Sequence, residues 1–351
     1  SKVLKRQQRM NNPPIVYMGT WGHSEPSERM IGGLCWGGEL LKSQIKREEQ
    51  DHLKLGASGF SKVGLLLNGF ILWFYFCQSQ RSSSTIMVYL KNLVAADFLL
   101  SLCLPFSIVN LTTTSNLTIR LVHCKFGIAI FYLNMYASIL FMAHIAYNRY
   151  LKIIHPFKTH FLQTVRAAHI ISIVTWVFLL TVLSIYVCAS FITQKNLTSI
   201  PYSCEELHNK NVIVLHRVIH SSILVAFLSV LIFMLYVYCH TSHEVSLAQQ
   251  SQLTSSSPDK LAKSRRNMMV LIIVFCICFI PFHLVHVPYI FLECSQGTVL
   301  FLLEELTRVF SVLNICLDPF TYFIFSKDLR EQLKNVLQRD KPTPNNESGS
   351  S

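Results

Sequence analysis

Residues 267–292 read NMMVLIIVFCICFIPFHLVHVPYIFL, a run without a single Asp, Glu, Lys or Arg. About 20 predominantly apolar residues in helical conformation cross the ~30 Å hydrocarbon core of a bilayer, so this run is long enough to span one. It is bounded on one side by Lys260, Lys263, Arg265 and Arg266 and on the other by Glu293. Working outward, comparable runs occupy 86–109, 126–147, 168–193, 212–239 and 298–325. A further run from Val63 to Phe76 reads as a shortened first span, because Lys62 and the polar residues before it fall short of a full crossing. The fold expected is all-α: a seven-transmembrane helix bundle whose first span is truncated.

Composition points the same way. Of 351 residues, 51% are hydrophobic and only 14% charged, where soluble domains carry about a quarter charged residues. The net charge of +12 does not indicate nucleic acid, because the cations are gathered by loop. Arg149, Lys152, Lys158 and Arg166 follow the third run, and Lys260 to Arg266 precede the sixth. Lys327, Arg330, Lys334, Arg339 and Lys341 follow the last. The alternate loops hold Glu205, Glu206 and Glu293 instead. By the positive-inside rule the C-terminus is cytosolic and the N-terminus external, which makes this a multi-pass plasma-membrane protein. The sequons at Asn110, Asn116 and Asn196 fall on the external side of that topology and are read as glycosylation sites, whereas Asn346 falls in the cytosolic tail.

Three segments follow. Residues 1–62 are polar, mixed in charge and without helical period, and are read as disordered or as a misassigned upstream exon; ten Lys and Arg there oppose an external location. Residues 63–325 form the seven-helix transmembrane bundle. Residues 326–351 form an amphipathic helix, with Phe325, Leu329, Leu333 and Val336 on one face and Lys327, Arg330, Glu331 and Lys334 on the other, followed by a disordered cytosolic tail. Cys124 and Cys204 lie outside the apolar interiors on the oxidising face and are expected as a disulfide, against two free thiols; Cys294 pairing with Cys35 is an open alternative. The histidines, His144 and His240 among them, are read as packing or interfacial groups with no metal-ligand spacing.

Ionisable groups in hydrocarbon mark function by default. Asp97 and Asp318 lie deep in the second and seventh runs, Arg149 ends the third, and Glu304 with Glu305 opens the seventh. Around them, markers recur in fixed order along residues 64–330: Asn68; Asp97; Cys124; Asn148-Arg149-Tyr150; Trp176; Phe275-x-x-Cys278-Phe279-x-Pro281; and Asp318-Pro319-Phe320-Thr321-Tyr322. The chain resembles the rhodopsin-like G-protein-coupled receptors. The resemblance implies a heterotrimeric G-protein partner, an extracellular ligand and no enzymatic activity. It implies helix kinks at Pro281 and Pro319 about which the sixth span swings, and a toggle at Phe279 below the ligand, with Phe275 one turn further. It implies that Arg149 meets the G protein in the open state, held by Tyr238 and Tyr322. It also implies a sodium pocket of Asp97, Ser138, Asn314 and Asp318, with no other cofactor.

Within that class the nearest resemblance is to the purinergic nucleotide receptors and their orphan and lipid-sensing relatives. It rests on Tyr89-Leu90-Lys91-Asn92, Leu104-Pro105-Phe106, Phe131-Tyr132-Leu133-Asn134-Met135-Tyr136, Pro281-Phe282-His283, Pro288-Tyr289 and Cys316-Leu317-Asp318-Pro319. The resemblance implies a ligand site lined by Tyr132, Tyr136, His216, His283 and Tyr289. Where nucleotide-binding relatives carry Lys, Arg and Lys for phosphates, this chain has His208, His286 and Glu304. Two imidazoles and a carboxylate make a poor polyphosphate site at neutral pH, which favours an acidic lipid, a nucleotide-sugar or an unknown ligand. Against a receptor stand a transporter, which repeated halves and Gly-broken helices would mark and which this sequence lacks, and a non-functional receptor relic, motivated by the short first span.

The family places Asp before the arginine of the third span, and here the residue is Asn148. The local ion pair that restrains Arg149 is absent. Basal GTP exchange on purified G protein is therefore expected to be higher, or the protein less stable, than in an Asn148→Asp variant; equal exchange and stability in the two would remove the idea.

Overall fold

The computed structural model describes residues 56, 58–78, 84–112, 116–155, 161–192, 204, 210–250, 258–291, 298–326, 329–331 and 334. Seven helices within it are long and apolar enough to cross a membrane. They are α1 (Ser58–Cys77), α2 (Thr85–Thr112), α3 (Leu117–Ile154), α4 (Val165–Ile192), α5 (Lys210–Gln250), α6 (Pro258–Phe291) and α7, the last in two parts, Thr298–Val312 and Asn314–Phe325. In the most apolar window of α3, 61% is buried, against 17% in α4 and in α5. The third helix is thus the central column, and the fourth and fifth present most of their Ile, Val, Leu and Phe outward, as a lipid solvent permits.

The first helix differs from the sequence reading. It begins at Ser58 and runs 20 residues, enough for a crossing. Two side chains explain how the polar stretch before Val63 joins the helix. Ser61 turns into the bundle at 3% exposure, and Lys62 stays on the exposed face near the helix end, where a long cationic side chain reaches the interface. Gly64 lets the helix dock: a Cβ there would stand 2.7 Å from Ile315 Cδ1 and from Ser101 Oγ. The truncation on which the relic reading stood is not present.

Backbone chemistry explains the docking partner. Pro319 has no N–H, so the carbonyl of Ile315 one turn earlier loses its helical donor. The Nδ2 of Asn68, on α1, donates to that oxygen at 2.8 Å, and both residues are 0% exposed. In hydrocarbon an unsatisfied carbonyl costs several kcal/mol, roughly, so the Asn68 side chain is the second half of the proline kink. Between α2 and α4, Trp176 Nε1 donates to Asn92 Oδ1 at 2.8 Å, while Asn92 Nδ2 donates to the Val88 carbonyl. At the opposite wall, a π-helical turn over His123–Gly127 carries Cys124 to its disulfide with Cys204, with 5.4 Å between their Cα atoms. Lys125, in the same turn, lies 3.8 Å over the Phe191 ring and ties α3 to α4.

One sequence expectation changes here. Asn110 is only 2% exposed and sits in the last turn of α2, which runs through the sequon to Thr112, so the folded chain leaves no room for a glycan on it. Asn116 is exposed and caps α3, its Oδ1 accepting from the N–H of Thr118 and Ile119. The Asn196 sequon, Cys35 and Cys294 lie outside the described residues. Of the amphipathic segment, Leu329 is buried against the bundle and Arg330 donates to the Ile324 carbonyl.

Replacing Asn68 by Ala leaves the Ile315 carbonyl buried without a donor and is expected to lower stability by about 2 kcal/mol. Thermal unfolding in detergent, compared with Asn92→Ala, measures this; an unchanged midpoint would show that the kink does not need the amide.

Candidate functional site

Three polar clusters lie along the central column, and each uses a different set of helices. The first is at the disulfide end. Glu304, 0% exposed, accepts from His286 Nδ1 at 2.8 Å and from Arg308 Nη2 at 3.0 Å through the same oxygen, Oε1. Arg308 also reaches Glu305 at 2.8 Å. The other nitrogen of His286 meets His220 Nδ1 at 3.1 Å and the Tyr132 hydroxyl at 3.2 Å. One imidazole therefore joins α3, α5, α6 and α7. His216 packs on His220, ring centres 4.2 Å apart, and on Tyr186.

One turn deeper, His283 Nδ1 donates to the Phe279 carbonyl at 2.8 Å and its ring stacks on Phe227 at 3.8 Å. That bond fixes the protonated nitrogen and leaves Nε2 as an acceptor, buried and without a partner. Tyr136 stacks on Tyr132, and its hydroxyl is likewise buried without a partner. Tyr289 packs against Ile290 and Leu300. His208 lies outside the described residues.

The structure thus brings together Tyr132, Tyr136, His216, His283, His286 and Glu304, and adds two residues that the sequence reading passed over, His220 and Arg308. Both had a signal. His216-x-x-x-His220 places two imidazoles on one helix face, against the reading that the histidines lack such spacing, and Glu304-x-x-x-Arg308 is an i,i+4 ion pair. Among the described residues, no three His, Cys, Asp or Glu side chains converge to hold a metal ion. The histidine spacing was legible in the sequence; its orientation toward His286 and Glu304 was not.

The second cluster is at mid-bundle and entirely buried. Asp97 accepts from Asn134 Nδ2 at 3.0 Å and from the Tyr322 hydroxyl. Asn314 donates its amide nitrogen to both oxygens of Asp318, at 2.8 and 3.0 Å, and accepts from Ser138 Oγ at 3.0 Å. Asp97, Ser138, Asn314, Asp318 and Tyr322 are all 0% exposed. Two carboxylates are sunk here among neutral donors, with no Lys or Arg in their hydrogen-bond set. Buried charge of one sign calls for a cation or a proton, and the oxygen-rich set of Asp97, Asp318, Ser138 and Asn314 suits a hard monovalent cation. Asn134 is a further member that the sequence reading did not name.

The third cluster is at the other end of α3. Asn148 is 2% exposed, and neither its Nδ2 nor its Oδ1 has a partner. The guanidinium of Arg149 lies 5.0 Å over the Phe325 ring, and its Nε is without a hydrogen bond. Tyr150 meets His240 edge to face, and Tyr238 rests half-buried against the core. Tyr322 is engaged with Asp97 and not with Arg149. Linking the levels, Phe275 is stacked on Phe227 and meets Phe279 edge to face; both are fully buried, Phe279 beside Pro281 and Phe275 one turn below Phe279.

Seven membrane helices around a buried polar axis, with a disulfide at one end and an arginine at the other, are the architecture of a G-protein-coupled receptor. Residues 67–322 match the 7 transmembrane receptor (rhodopsin family). Purinoceptor 14 of Bos taurus is 32% identical over 287 residues, 78% of this chain and 82% of that protein. Purinoceptor 13 of Homo sapiens is 32% identical over 298 residues, 82% of each, and G-protein coupled receptor 87 of Mus musculus is 28% identical over 279 residues, 77% and 76%. The chain belongs to the rhodopsin family of seven-transmembrane receptors, in its purinergic branch. These relatives are receptors, and family membership brings coupling to G proteins and an extracellular ligand.

The clasp at Glu304 gives a test. Arg308→Met leaves Glu304 buried with His286 as its one remaining partner and is expected to lower stability by about 3 kcal/mol, whereas Arg308→Met with Glu304→Leu recovers most of it. Thermal melting of the four-member cycle reads this, and simple additivity of the two changes would contradict the pairing.

Proposed function

We propose that this protein is a cell-surface receptor, N-terminus outside and C-terminus in the cytosol, that passes binding of an extracellular ligand to a heterotrimeric G protein. The observation that carries the reading is the one imidazole, His286, that joins α3, α5, α6 and α7 while sitting one to two turns above the Phe279 and Pro281 level of α6. A ligand that displaces Tyr132, His220 or Glu304 from His286 changes the forces on α6 directly, and α6 is the helix that the proline kinks allow to swing.

The ligand site comprises Tyr132, Tyr136, His208, His216, His283, His286, Tyr289 and Glu304, with His220 and Arg308 added. Arg308 is already neutralised by two carboxylates, which argues against a polyphosphate and for a ligand with at most one or two acidic groups, such as an acidic lipid or nucleotide-sugar. Asp97, Ser138, Asn314 and Asp318 hold sodium, which offsets carboxylate charge and favours the resting packing. Glycans reside on Asn116 and Asn196.

At the cytosolic end, the Phe325 ring stands in for the missing acid beside Arg149. A cation–π contact of this kind is worth about 1 kcal/mol. Phe325→Ala is therefore expected to raise agonist-independent GTP exchange roughly five-fold in nanodiscs with purified G protein. Asn148→Asp added to that variant restores the restraint from the other side. Exchange that is undetectable in every variant would count against the receptor reading, and exchange unaffected by Phe325 would count only against the latch.

A further inference from the structure

Between α5 and α6, at the end of the bundle that carries Arg149, lies a cleft of about 520 Å³ lined by Tyr238, Ala262, Lys263, Arg265, Arg266 and Met269. Its chemistry is two-sided. Three cations fall within one turn of α6, and no carboxylate is among the lining residues. None of the three makes an ion pair with another described residue. Below them the lining turns apolar at Met269, and Met269, Ile273 and Ile277 continue as an exposed stripe at i, i+4 and i+8 down the membrane face of α6. The uncharged run of α6 begins only after Arg266, so the cations stand at its margin, at headgroup depth, with the stripe beneath them in hydrocarbon.

We propose that this cleft binds a phospholipid whose headgroup carries phosphomonoesters. The phosphates contact Arg265, Arg266 and Lys263, and an acyl chain lies along Met269, Ile273 and Ile277. A phosphomonoester has three terminal oxygens and nearly two negative charges, against two oxygens and one charge on a diester or a carboxylate, so one such group can engage two arginine forks and a lysine together. A protein partner is disfavoured by the lower half of the site, which faces lipid and not the cytosol. Tyr238 lines the same cleft, so the lipid sits against one of the side chains expected to engage Arg149 in the open state. The proposal rests on the reading that this end faces the cytosolic leaflet, where such lipids and the positive-inside cations meet.

The test uses the full chain in phosphatidylcholine nanodiscs with phosphatidylinositol 4,5-bisphosphate as probe, bound lipid being counted by native mass spectrometry across a titration. Arg265→Gln with Arg266→Gln is expected to weaken binding about 30-fold, from ~1 kcal/mol for each cation. Arg166→Gln with Lys334→Gln removes the same charge from the same end of the molecule and is expected to leave binding within about two-fold. Equal losses in the two pairs would overturn the site in favour of general attraction to the cationic face. Phosphatidylserine binding as tightly as the bisphosphate, or soluble inositol trisphosphate doing so without acyl chains, would overturn the stated ligand. Should the Gln pair fail to fold, Arg265→Lys with Arg266→Lys keeps charge and is expected to lose several-fold through the forks alone; no loss there contradicts the proposal. Binding is read without G protein, so a failed cleft with normal GTP exchange leaves the receptor reading intact.

Discussion

Asp97 is the constraint around which this bundle is arranged. A carboxylate in hydrocarbon has to be satisfied by its neighbours, and those neighbours come from two helices: Asn134 on α3, and Tyr322 on α7 with Asp318 and Asn314 close by. Each partner is polar because Asp97 is there, and each is therefore held at a fixed register against α2. The Pro319 kink adds a second demand, a carbonyl at Ile315 needing a donor, and Asn68 answers it from α1. Four helices are thus fixed by backbone and carboxylate chemistry that apolar packing alone does not specify.

On the proposed function, the same chemistry makes the bundle switchable. Tyr322 has one hydroxyl and two places for it, Asp97 or the neighbourhood of Arg149. In the structure it is at Asp97, and Arg149 is left to the face of Phe325. Above, His286 contacts Tyr132, His220 and Glu304, and on the proposed function a ligand exchanges these contacts for its own. Packed aromatic side chains, Phe227, Phe275 and Phe279, fill the interval between the two, and close-packed interiors of this kind move between discrete arrangements more readily than they deform.

Much of this was legible in the sequence because membrane burial writes long apolar runs and isolates the few polar residues that matter. The span count, Asp97, Asp318, Arg149 and the Cys124–Cys204 pair were readable from position alone. What was not readable depended on direction. Hydropathy put the start of α1 at Val63 because it counts Ser61 and Lys62 as polar without knowing that one faces inward and the other the membrane rim. It ended α2 before Asn110 for the same reason, and so mistook a buried helical Asn for an external acceptor. His220 and Arg308 carried a one-turn spacing, but only the rotation of α5 and α7 toward α6 turns that spacing into a network. Phe325 had no signal as a partner for Arg149, since nothing in sequence ties the end of the seventh helix to the end of the third.

On the proposed function, α6 swings at its cytosolic end when a G protein engages Arg149. The most direct measurement is the distance between spin labels at Arg166 on α4 and Ser264 on α6, with the exposed Cys77, Cys188 and Cys239 replaced, in the presence and absence of nucleotide-free G protein. The account predicts a second population several ångströms longer that grows with G protein and collapses on addition of GTP. A single distance distribution, unchanged by G protein at saturating concentration, would contradict it.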